Sequence, residues 1–90
     1  MSDDKLRQNL EKLRSELEKP REIEPETQQL LSNVRKDIEH VLGAEESVER
    51  PTYDRLIDRL ERAELTLEGA HPLLAEAMRR VMNILSSMGI

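Results

Sequence analysis

The last twenty residues, His71 to Ile90, constrain this chain more than any other stretch. Placed at 100° per residue, Leu73, Leu74, Ala77, Met78, Val81, Met82, Ile84, Leu85 and Met88 cover an arc of roughly 180 to 200°, against a little over 100° for an ordinary surface helix. A helix with so wide an apolar surface must be covered on two sides. The chain has 90 residues, enough for one domain with a single core, in the size range where oligomerisation often supplements modest burial. Part of the cover is therefore expected from a second copy of the protein.

The core must be aliphatic, because the chain has one Tyr and no Phe or Trp. Charged residues make up 37% of the sequence, but they interleave with regularly spaced apolar positions instead of forming blocks, which favours folding over disorder. Without cysteine there is no disulfide, thiol nucleophile or thiolate metal site, in keeping with a reducing cytoplasm. No apolar run approaches the roughly 18 residues of a membrane span, and Met1-Ser2-Asp3-Asp4 carries acid where a signal peptide would carry base. A net charge of −5 disfavours non-specific contact with nucleic acid or anionic lipid. The expectation is a cytoplasmic protein without membrane or nucleic-acid partners.

Prolines and glycines divide the chain into four helical segments, predicted at about 3–19, 26–42, 53–68 and 72–88. In the first, Leu6, Leu10, Leu13 and Leu17 form a narrow seam of coiled-coil type, too short at two heptads to stand alone, and Pro20 ends it. Pro25 can open the second at its first helical position. Leu30, Leu31, Val34, Ile38, Val41 and Leu42 then make one stripe, and Gly43 is its expected left-handed stop. Residues 43–51 are expected to form an exposed connection. Thr52 is the expected N-cap of the third helix, whose stripe is Tyr53, Leu56, Ile57, Leu60, Ala63 and Leu67. Leu65 falls off that stripe, so it is either exposed or in a second contact. Gly69 and Pro72 predict a break at 68–71 with His71 near the cap, the alternative being one helix kinked at Pro72. Gly89 is expected to end the last helix in a left-handed conformation, with Ile90 folding back on Leu85. The fold class that follows is all-α: a small bundle of about four amphipathic helices arranged as hairpins, with no strand.

Chemistry is sparse. Glu68 and His71 have the Glu-x-x-His spacing that, on a continuous helix of a di-iron protein, aims a carboxylate and an imidazole at one metal. Gly69 and Pro72 break that geometry, so a capping or turn role for His71 is the plainer reading. His40, beside Glu39 at a predicted helix end, has no evident partner for acid–base work. Arg55, Arg59 and Arg62 share one side of the third helix but alternate with Asp54, Asp58 and Glu61, which can pair with them. The three glycines are isolated, so no phosphate loop exists, and the serines have no paired base. Methionines in the last helix fit ordinary gap-filling core better than an adaptable groove. Neither enzymatic activity nor a bound cofactor is expected.

His71-Pro72-Leu73-Leu74-Ala75, followed by Ile84-Leu85 and Met88-Gly89-Ile90, resembles the ending of domain-of-unknown-function family 4404, a family of small bacterial proteins. The opening Leu6, Leu10 and Leu13 is similar to that family's beginning. The resemblance implies a bacterial, cytoplasmic helical protein and brings no activity or catalytic residues with it. The functional expectation is a non-catalytic module for self-association or for binding an unidentified protein partner, with a small metal- or ligand-binding protein using Glu68 and His71 as the alternative. A homodimer is expected through Leu73, Ala77, Met78, Val81, Met82, Ile84 and Leu85. The sector facing outward is either that of Leu73, Ala77 and Ile84 or that of Met78, Met82 and Leu85.

Overall fold

A computed structural model describes residues 2–44 and 48–89. Four helices follow one another, α1 (Ser2–Glu18), α2 (Pro25–Gly43), α3 (Arg50–Leu67) and α4 (Pro72–Ser87), with no strand among the described residues. The molecule measures 35 × 20 × 20 Å, little longer than its helices, so short connections force consecutive helices to run antiparallel. Close packing joins α1 to α2, α2 to α3, α3 to α4 and α4 back to α1. The helices therefore form a ring of four seams around one core, with α1 opposite α3 and α2 opposite α4.

That core is drawn from the predicted stripes. Leu6, Leu10 and Leu13 of α1, Leu31, Val34, Ile38 and Val41 of α2, Leu56, Leu60, Ala63 and Leu67 of α3, and Leu74, Met78, Val81, Ile84 and Leu85 of α4 are all buried in it. Each fully buried aliphatic side chain of the Leu class contributes about 1.5–3 kcal/mol relative to exposure. Leu17, Ile23, Leu42, Val48 and Tyr53 pack partly buried around the margin. Leu65, off the stripe of α3, is 75% exposed, which settles its alternatives. Among the described residues no helix is long and apolar enough to cross a membrane.

Helix ends depart from the sequence expectation at two places. Gly43 is not a left-handed stop: it lies inside α2, and the helix leaves through Ala44 in an extended conformation (φ −72, ψ 128). Gly89 is the one described residue with positive φ. An extended exit needs no left-handed residue, and the terminal carbonyl of Leu42 is satisfied from another helix, by the Arg7 guanidinium at 3.0 Å. The third helix begins at Arg50, not after a Thr52 cap, with Glu49 as N-cap and Pro51 in the first turn. Proline's fixed φ suits a first turn, where its missing N–H costs nothing, so Pro51 belongs to the helix it was expected to precede. The connection shortens to residues 44–49 accordingly.

At α4 the chain breaks. The N–H of His71 bonds the Leu67 carbonyl at 2.8 Å, His71 takes the N-cap position (φ −135, ψ 69) and Pro72 is the first helical residue. At the far end Gly89 has φ 83, and its N–H reaches the Ser86 carbonyl at 3.1 Å, one of the two bonds of a Schellman ending. The expected contact of Ile90 with Leu85 lies outside the described residues.

Candidate interaction surface

The wide arc of α4 is divided among three fates. Leu74, Met78, Val81, Ile84 and Leu85 enter the chain's own core. Four of the seven residues expected at a dimer contact, Met78, Val81, Ile84 and Leu85, are thus covered from within, because ring closure gives α4 two neighbours instead of one. On the flank toward α3, Met82 is half-buried. On the flank toward α1, Ala77 is half-buried and Leu73 is 73% exposed, one of the two large apolar side chains among the described residues that stand clear of the core.

Leu73 and Ala77 line an open groove of about 340 Å³ between α4 and α1. Its α1 wall carries Lys12 and Glu16, and its α4 wall carries Glu76 and Arg80, bonded to each other at 2.8 Å. Two acids and two bases flank the exposed Leu73. The opposite flank is closed by Arg79, which reaches Glu64 of α3 at 2.9 Å beside Met82.

Glu68 and His71 are not brought together on one helical turn. Glu68 follows the last residue of α3 with helical dihedrals, residues 68–70 form a turn, and His71 caps α4 through its carbonyl, which accepts the Ala75 N–H at 3.0 Å. Its imidazole makes no capping bond. Among the described residues no three His, Cys, Asp or Glu side chains form a group able to hold a metal. His40 lies exposed in the last turn of α2, at the end of the bundle away from His71.

The strongest polar constellation was not anticipated. Asp37 of α2 is 4% exposed; its Oδ2 accepts a bond from Arg59 of α3 at 2.7 Å, and its Oδ1 lies 3.5 Å from Arg55. The Arg59 guanidinium also reaches the Asn33 carbonyl at 3.4 Å. Arg55 and Arg59 therefore turn to another helix, while Arg62 alone of the three pairs within α3, with Asp58 at 3.4 Å. A buried carboxylate is tolerated only when it is paired and hydrogen-bonded, which is the state of Asp37. One signal was present in the sequence: Asp37 is three residues after Val34 and four before Val41, an acid inside the apolar stripe.

A second cluster fastens the connection after α1. Arg21 bonds both the backbone carbonyl of Glu16 and its carboxylate, the latter at 2.8 Å, and Lys19 reaches the same carboxylate at 2.9 Å. Arg21 thus adds a donor to a last-turn carbonyl whose backbone bond is the 3.3 Å one from the Lys19 N–H, Pro20 having no N–H to give. Hydrogen bonds from Lys19 and then Arg21 hold the Glu16 carboxyl below the usual glutamate range.

The bundle supplies few chemical groups that converge, and its surface offers mainly an apolar side chain framed by charges. No curated protein and no solved structure matches the chain. A family model does, over residues 6–90, and the chain belongs to that family, the domain of unknown function DUF4404.

Proposed function

We propose that the chain is a non-catalytic helical module that works by pairing with a second copy of itself through the groove between α1 and α4. The observation that carries this reading is the exposure of Leu73 beside half-buried Ala77, on a helix whose other large apolar side chains are drawn into the core or, as Met82, packed half-buried against it. The charges around it favour a like partner. A two-fold axis places the same patch against itself, so Lys12 and Arg80 of one copy can face Glu16 and Glu76 of the other.

The contact is modest. Burying Leu73 from each copy contributes about 1.5–3 kcal/mol per side chain, about 3–6 kcal/mol for the pair before the cost of association, which limits the dimer to a weak, roughly millimolar affinity. The test is molar mass by light scattering or sedimentation over about 10 μM to 1 mM. The expected result is a rise from one chain toward two with concentration, lost in Leu73→Glu while the helical circular dichroism is kept. A mass of one chain throughout overturns the reading.

A further inference from the structure

We propose that the cleft at the end of the bundle where α1 passes into α2 binds a small amphipathic anion, an aliphatic carboxylate of medium chain length. This cleft, of about 310 Å³, is separate from the groove around Leu73 and falls at the lower end of the volumes that hold small ligands. Its apolar wall is Leu17, Ile23, Leu31 and Leu74, from three different helices and the connection between two of them. Its charged lining is Lys19, Arg21 and Arg35, with no acid among the lining residues.

That balance sets the cleft apart. The groove around Leu73 carries Glu16 and Glu76, and the one beside Met82 carries Glu61 and Glu64, in a chain whose net charge is −5. Glu16, just outside the cleft, pairs with Lys19 and Arg21, so Arg35 is the lining cation that Glu16 does not engage. Its guanidinium is half-exposed, and among the described residues its acidic neighbour is Glu39, at 3.7 Å. A carboxylate meets Arg35 at the rim, where a planar guanidinium offers paired donors, and an aliphatic tail covers the partly exposed Leu17 and Ile23. Neither half of such a ligand suffices. The charge alone is bound by a solvated arginine and the tail alone by a shallow wall.

The experiment is a titration of the isotope-labelled full chain followed by nuclear magnetic resonance, with octanoate, 1-octanol and inorganic phosphate as probes, each up to about 10 mM because ligands of this size bind in the millimolar range. Octanoate is expected to shift the methyl signals of Leu17, Ile23, Leu31 and Leu74 saturably, 1-octanol to do so several-fold more weakly, and phosphate to leave those methyls unmoved. Arg35→Gln, a surface change that spares the fold, is expected to weaken octanoate about threefold to fivefold, the effect of a partly exposed ion pair, and to leave 1-octanol unaffected. Equal binding of 1-octanol and octanoate overturns the proposal. So do shifts spread over the whole bundle, shifts that fail to saturate, or an Arg35→Gln variant that binds octanoate unchanged.

Discussion

The seam between α2 and α3 and the seam between α1 and α4 face each other across the same aliphatic core, yet they are finished differently. The first buries Asp37 under two arginines that reach it from the neighbouring helix. The second has no charge buried between its helices among the described residues and leaves Leu73 standing above a groove. A charge clamp rewards one orientation, because turning α3 about its axis carries both Arg55 and Arg59 away and leaves a buried carboxylate unpaired, whereas aliphatic contacts are non-directional. One seam is thus specified by geometry and the other by burial alone, and the less specified one carries the exposed Leu73.

If the hydrophobic contribution is common to both seams, deleting a buried leucine on either side should cost alike. Leu10→Ala on α1 and Leu60→Ala on α3, each at a fully buried site, are expected to lose about 2–5 kcal/mol in urea unfolding, the largest effects considered. A loss at Leu10 well below that at Leu60 would show that the seam of α1 yields to fill the space. The clamp itself comes next. Arg59→Ala leaves Asp37 with Arg55 at 3.5 Å as its partner and is expected to cost about 2 kcal/mol, as for other hydrogen bonds to buried charge. Removing both partners, in Asp37→Leu with Arg59→Ala, is expected to recover most of that loss in a double-mutant cycle. A cycle without coupling means that the pair does not orient α3 on α2.

The smallest effect belongs to the surface cluster at Glu16. Its carboxyl is held below the ordinary glutamate value, so the folded state binds fewer protons there than the unfolded chain does. The stabilisation is fully present above the unfolded value of about 4.3 and is lost as pH falls through the lower folded value. Glu16→Gln is expected to flatten the decline of stability with acid below about pH 5, and to lower the neutral-pH melting temperature only slightly, because both cations are partly solvated. An unchanged acid slope refutes the assignment.

Much of the architecture was legible in the sequence because helical period is a local property. The stripes of all four helices, the break at His71-Pro72 and the left-handed Gly89 follow from spacing, proline chemistry and glycine freedom within one or two turns. What escaped involves groups far apart in the chain. Arg55 has Asp58 three residues on, so local pairing is its natural expectation, whereas Arg59 has no acid three or four residues away on its own helix; only the packing of α2 on α3 shows that Asp37 is the partner of both. Gly43 likewise reads as a stop until Arg7, from the other end of the hairpin, is seen to satisfy the terminal carbonyl. The exposed patch was legible in part. Sequence located the arc on α4 but could not apportion it, since how much two neighbours cover depends on the ring closing.

That closure has a consequence for the order in which the molecule can assemble. Three of its four seams join helices consecutive in the chain, so each can form by closing a connection of a few residues, at little entropic cost. The fourth, α1 on α4, waits until the two halves of the chain meet. Folding is thereby divided into early hairpins and one late docking step, and the seam that docks last is the one bordering the groove around Leu73. A second chain arriving before that step would meet the same apolar face that α1 is due to cover, so exchange of α1 between copies is the misassembly expected on refolding at high concentration, read as a long-lived dimer that refolding at high dilution does not give.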